Sequence, residues 1–287
     1  MQPEKNEQFT IKEFVDQLRK DIARNKIKLP TLPNISLEAL VVVNDDSSRV
    51  GDVAEVVAKD TAIATRLIKY ANSPIYRGVN PVTTIKGAIT RIGFEKVKNA
   101  ILTLAMKEVY TTNNKTLQKR MERLWEHSMD VGSRCAIIAK NFEHLDQEEA
   151  LLAGLIHDIG AIPILLKAGD YEVLTNSEAN LDKIITPLHS AIGRDMLKVW
   201  KFDPRMVQVA AEHENLQRDL GDEPVDYVDI VQVANILSYE GTDHPQARID
   251  RSKIPAFRRV NYHPPAEEQE EIEDVEQEIE ELKDILI

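Results

Sequence analysis

The stretch LLAGLIHDIGAIPILL, residues 151–166, is apolar except for His157 and Asp158. A carboxylate and an imidazole inside a hydrophobic run carry a desolvation cost that the fold must compensate. Gly160 follows as a helix stop, so the run reads as two core helices meeting at a polar pair. The dipeptide alone is weak testimony, because seven His and 21 Asp in 287 residues make one His-Asp pair little better than chance.

Outward from this pair the signals are helical nearly throughout. Toward the N-terminus, Thr10–Glu13 has the form of a capping box. It opens a helix with Ile11, Phe14, Val15, Leu18 and Ile22 on one face. LPTLPN (29–34) is a proline-rich connector, followed by short helical pieces in SLEALVVV, VGDVAEVVAKD and TAIATRLIKYANS. VVV at 41–43 could stand as a strand in isolation, but no alternating partner lies nearby. Asn72-Ser73-Pro74 reads first as a helix stop, with a ligand or partner surface as the other reading. Thr84 caps IKGAITRIG, Gly93 stops it, and FEKVKNAILTLAMKEVY continues as a helix.

The spacing predicts one long helix over about 115–141, then helices at 147–157, 163–167, 188–201, 204–215 and 225–239. The segment 241–255 has turn formers and no period, and is predicted to be a loop. No substantial sheet is expected, so the fold class is all-α.

The net charge is −12, but residues 267–287 hold eleven acids and one lysine, contributing −10 and leaving −2 for the body. A near-neutral body offers no basic face for nucleic acid. Arg258 and Arg259 read as a solvated loop. In the acidic tail, Ile272, Val275, Ile279, Leu282 and Ile285 recur at spacings of three and four. That stripe could dock on the body or pair with another chain. The apolar runs are broken before 18 residues, so no membrane span is expected. The polar N-terminus reads as no secretory signal, and the single Cys135 fits a reducing cytoplasm.

His127, His157, His189 and His213 are separated by 30, 32 and 24 residues, which places each on a different predicted helix with apolar flanks. Four inward imidazoles and Asp158 are what a buried metal cluster in a helical bundle requires. The other reading is a metal-free, hydrogen-bonded polar cluster. His144, His244 and His263 fall in polar or loop contexts and read as surface residues.

His127, then His157-Asp158, then a later acidic position resembles the ligand order of the HD superfamily of metal-dependent phosphohydrolases. LPTLPNISLEALVVV, AKDTAIATRLIKYANSPIY and TTIKGAITRIGFEKVKNAILTLAM resemble the HDOD domain (HD-related output domain) of bacterial signalling proteins. The likeness runs from about Leu29 to about Ser238, and ANSPIY and AITRIG are its most specific pieces. It implies an HD/HDOD-type multi-helix bundle: an N-terminal helical subdomain (1–112), an HD-like subdomain (113–240), and a loop with an acidic amphipathic helix (241–287).

By the same resemblance His127, His157 and Asp158 would be metal ligands, with His189 and His213 matching the added histidines of HD-GYP relatives. Glu212 could also ligate. Asp158 would be the catalytic residue, bridging ions or orienting the nucleophile while the cation activates water.

Three departures argue against full activity. Asn235 stands where the pattern closes on aspartate, and an amide offers a hard cation no charge. Ala161 stands where catalytic relatives place lysine after HDIG. No GYP element follows His213, where the chain reads EHENLQRDLGDEP. The expected function is therefore a bacterial cytoplasmic signalling or regulatory module, non-catalytic, with a degenerate metal site. The alternative is a metal-dependent phosphohydrolase acting on a nucleotide or other phosphoester. The expected cofactor is a divalent cation (Fe, Mn, Mg or Zn) unless the cluster is metal-free. The expected partners are a signalling protein or a phosphate-containing small ligand, with no nucleic acid and no membrane. A homodimer through the tail would be a third arrangement.

Overall fold

The computed structural model describes residues 11–23, 34–43, 45, 47–94, 96–262 and 269–286. The expected Thr10 cap, most of the LPTLPN connector and His263 lie outside the described residues, as do the side chains of Ile11, Ile22 and Ile272. Among the described residues there is no strand. VVV at 41–43 is the last turn of a helix: with no second extended segment to pair with, its backbone groups are satisfied within the helix.

The N-terminal half contributes α1 (Ile11–Ala23), α2 (Asn34–Val43), α3 (Val50–Val57), α4 (Thr61–Tyr70), α5 (Ile85–Ile92) and α6 (Val97–Val109). Local chemistry sets several ends. The Asp60 carboxylate accepts from the Ala62 and Ile63 amides at the start of α4. Thr84 caps α5 by accepting from Gly87 N–H, and Gly93 ends it at φ 95°, a backbone conformation that favours glycine. The Asn72 side chain donates to Ile68 and Val82 carbonyls and accepts from Val82 N–H and Arg91, pinning the loop after α4 onto α5. The structural reading of Asn72-Ser73-Pro74 therefore accounts for this residue.

The second half is α7 (Lys115–Ala139), α8 (Gln147–Ile156), α9 (Ala161–Ala168), α10 (Glu172–Thr175), α11 (Glu178–Val199), α12 (Pro204–Glu212) and α13 (Tyr227–Ser238). α11 begins ten residues earlier than the expected helix at 188, with Pro187 inside it. Ile184 and Leu188 on either side of the proline are buried, and this packing holds the turn together where proline removes a hydrogen bond. α1 packs against α11 and also reaches the α9–α10 segment, with Phe14 edge-on to Tyr171 and Asp21 ion-paired to Lys167.

The 241–255 segment holds two short 3-10 turns, Pro245–Arg248 and Arg251–Lys253, and leads into α14 (Pro255–Val260). Arg258 and Arg259 thus stand on a helix, and the Arg259 side chain is covered. Its guanidinium reaches Asp229 at 3.1 Å and the carbonyls of Gly221, Glu223 and Pro224. The solvated-loop reading fails here because Asp229, fully buried on α13, needs a cation.

The tail helix α15 (Gln269–Leu286) docks on the body, against α7, α4 and α6. The apolar run 147–168, long enough in composition to cross a membrane, is two helices buried in the core.

Two glycine contacts set the geometry on which the polar pair depends. α7 and α8 cross with their backbones touching: a Cβ on Gly154 would sit 2.5 Å from the Gly132 Cα. A Cβ on Gly160 would collide with the His189 carbonyl oxygen and the Gly193 amide of α11. The first contact brings His157, at the end of α8, to the level of His127 on α7. The second presses the His157–Gly160 turn onto α11 where His189 emerges.

Candidate metal centre

Five segments deliver the site. His127 comes from mid-α7, and His157 and Asp158 from the turn after α8. His189 comes from α11, His213 caps the end of α12, and Asn235 lies on α13. The helices are fixed by their own starts. Asp146 accepts from two amides at the head of α8, Ser177 caps α11, Asp203 with Pro204 opens α12, and Asp226 and Asp229 form a capping box on α13.

The structure brings His157, Asp158, His189 and His213 together. His189 Nε2 and His213 Nε2 each lie 3.2 Å from Asp158 Oδ1 and 3.0 Å from one another. His157 Nε2 lies 3.6 Å from Asp158 Oδ2. On the far side of each ring, Nδ1 meets a backbone carbonyl: His157 to Gly154 at 2.7 Å, His189 to Ile185 at 2.9 Å, His213 to Val209 at 3.1 Å. Only an N–H can satisfy a carbonyl, so each Nδ1 carries a proton and each Nε2 points inward, as a lone pair wherever the ring is neutral. This is the ligand-ready tautomer of imidazole.

The arrangement is unstable without positive charge. With both rings neutral, two lone pairs and a carboxylate oxygen stand within about 3 Å of one another, and His157 Nε2 is buried with no hydrogen-bond partner. Burial and the neighbouring rings answer this in opposite ways. Burial drives the His157 pKa down to about 3, keeping it neutral. Burial also disfavours charge on His189, but the Asp158 carboxylate outweighs it and raises His189 to about 9. Burial opposes ionisation of Asp158, yet the three histidines hold it well below the usual carboxylate range. A proton on His189 can supply the missing charge; a divalent cation would supply it to every acceptor at once. Three imidazoles and a carboxylate of this form therefore fit a cation.

His127 is half-buried, apart from His189 and His213 but grouped with His157 and Asp158, the ligand atoms of the three lying within 4.8 Å of one another. Its ring lies 5.2 Å from His157, and burial lowers its pKa. The Tyr239 hydroxyl lies 3.4 Å from its Nε2, and the Tyr239 ring stacks on it at 5.1 Å. Asn235 sits beside His127, its buried side chain turned toward that ring.

Three functional neighbours escape the sequence. Glu214 Oε1 comes within 3.8 Å of both His189 and His213 Nε2, whereas the Glu212 carboxylate turns away and accepts from Arg218 at 2.8 Å. Tyr239 caps α13 four residues after Asn235, on the same face. His244, read as a surface residue, is exposed, and it stacks on Tyr239 at 3.7 Å. Of the three, Tyr239 carried a signal in the four-residue spacing from Asn235. Ala161 is buried at the start of α9, where its methyl offers an anion nothing.

The profile of the HDOD domain matches residues 29–216 of this chain. Among solved structures, a candidate metal-dependent phosphohydrolase from Shewanella amazonensis SB2B is 27% identical and superposes at a TM-score of 0.83, covering 96% of this chain and 99% of that one. An HDOD domain protein of unknown function from Geobacter sulfurreducens shares the fold at a TM-score of 0.62 and 20% identity, over 96% and 98% of the two chains. A Treponema pallidum (strain Nichols) protein is 22% identical over 84% of this chain, which spans about half of that relative's length (48%). The match to the family profile covers well over half of the residues, in the order the helices follow in space, and the chain belongs to the HDOD domain family.

Proposed function

We propose that this chain is a bacterial cytoplasmic regulatory protein whose His/Asp cluster binds a divalent cation without hydrolysing a phosphoester, and whose output is contact with a signalling protein. One observation carries the cation: three inward Nε2 atoms, oriented by three Nδ1–carbonyl bonds, converge with Asp158. Bound there, a cation would join the ends of α8 and α12 to α11 and stabilise their packing. It could also activate a water, but the chain supplies little else that hydrolysis needs. Asn235 leaves the closing ligand uncharged, and Ala161 puts no cation beside the turn to receive phosphate. The near-neutral body supports a protein partner over nucleic acid.

A second reading, metal-dependent phosphohydrolase, is favoured by the Shewanella structure, which is so described and superposes over nearly the whole chain. One experiment separates the two. The protein is purified without chelators or affinity metals, its Mn, Fe, Zn and Mg contents are measured, and a generic phosphodiester is offered. The regulatory reading expects a bound cation that Asp158→Ala removes, and no turnover. Turnover abolished by Asp158→Ala would establish the hydrolase, and absence of any cation, even after loading with Mn2+, would end the metal reading.

A further inference from the structure

Asp158 faces two ligand sets, one on each carboxylate oxygen. Oδ1 looks toward His189 and His213, each at 3.2 Å, with Glu214 3.8 Å from both. Oδ2 looks toward His157 at 3.6 Å, with His127 beyond it. The two sets differ in charge and in availability. The Oδ1 set contains two carboxylates, enough to neutralise a divalent cation. The Oδ2 set contains only the shared Asp158, because Asn235 offers an amide, and its outer nitrogen is engaged: the Tyr239 hydroxyl lies over His127 Nε2 at 3.4 Å.

The Tyr239 contact is built rather than incidental. A phenol O–H is a donor, and the only nitrogen it faces among the described residues is the outer nitrogen of His127. The Tyr239 ring is held between His127 and His244, stacked on the first at 20° and on the second at 15°. A hydroxyl donated to Nε2 and a metal on the same lone pair exclude one another.

We propose that this chain binds a single cation on the Oδ1 side of Asp158, with Glu214 completing His189 and His213, and that Tyr239 and Asn235 together keep a second ion from His127 and His157. The centre is thereby limited in number by residues that touch its outer histidine. The inference rests on the cation-binding reading above and says which side of Asp158 is filled.

The test is Mn2+ titration of the full chain by calorimetry, with bound metal counted after desalting and its EPR spectrum recorded. Wild type is expected to take one ion, with a mononuclear signal. Glu214→Gln should weaken that ion by about tenfold or more, while His127→Gln should leave its affinity within about twofold. The double variant Tyr239→Phe/Asn235→Asp should gain a second ion and show coupled Mn2+ pairs. Loss of the ion in His127→Gln with retention in Glu214→Gln would place it on the Oδ2 side and overturn this inference alone. So would two ions in wild type, or one in the double variant when circular dichroism shows it folded. No ion in any variant would overturn this inference and the cation-binding reading with it.

Discussion

Glu148 on α8 is buried, and its Oε2 accepts the Tyr76 hydroxyl at 2.6 Å while Oε1 has no partner. Burial is the main reason its pKa rises from 4.5 to about 8; the Tyr76 bond and Lys96 oppose the rise, and Asp146 and Glu149 add to it. Tyr70, buried beside Tyr76, also leaves its hydroxyl unpaired. A carboxyl that binds its proton more tightly when folded stabilises the fold below its unfolded pKa, and loses that contribution as pH rises through the folded value. Wild type should therefore lose stability between about pH 5 and pH 8 by on the order of a few kcal/mol, and Glu148→Gln should flatten that loss. Urea unfolding of both proteins across this range is the check; parallel curves would sink the assignment. At this scale the histidines were legible because residue type and spacing carry the information. Glu214 was not. In Glu212-His213-Glu214 the helix ends at the first residue, so helical phase no longer says which carboxylate turns inward, and the choice falls to Arg218, six residues on.

α15 shows what an element's sequence does and does not reveal. The spacing of Val275, Ile279, Leu282 and Ile285 foretells a helix with one apolar face, but such a stripe fits any apolar groove, so docking and self-association stayed open. In the fold Ile279, Leu282, Ile285 and Leu286 are buried, and Glu281, Glu278 and Lys283 pair with Arg77, Lys140 and Asp130. The apolar contacts should dominate, because the Arg77–Glu281 pair is exposed and such pairs are worth about 0–1 kcal/mol. Removing the buried Leu282 side chain costs about 2–5 kcal/mol. If α15 undocks as a unit, Leu282→Ala should speed amide hydrogen exchange across it by at least about thirtyfold. Arg77→Ala should change it by less than about fivefold. Deleting 269–287 should raise the mass in solution, since it bares the strip on α4, α6 and α7 that the helix covers. An unchanged exchange pattern in Leu282→Ala would show that charge, not burial, holds the tail.

Across the whole molecule, the buried side chains form one cluster from Phe14 on α1 to Leu286 on α15, with no break between the N-terminal helices and those that carry the site. Tyr110, ending α6, donates to the Leu155 carbonyl of α8 at 2.6 Å, and Tyr76 reaches Glu148. The boundary at 112 that the sequence suggests is thus a change of motif rather than a gap in packing; pattern locates where one helix stops, while continuity of the core depends on contacts between residues far apart in the chain. A shared core melts as one unit. Both tryptophans, Trp125 and Trp200, lie in the half with the site, whereas far-ultraviolet circular dichroism also reports α2 to α6. Thermal unfolding followed by tryptophan fluorescence and by circular dichroism should give the same midpoint. Mn2+ at about a hundred times its Kd adds about 2.7 kcal/mol to the folded state, and should raise both midpoints together by about 4–5 °C. If the fluorescence midpoint moved with Mn2+ while part of the dichroism signal did not, the N-terminal helices would be a separate folding unit, and a cation at Asp158 could not influence them through the core.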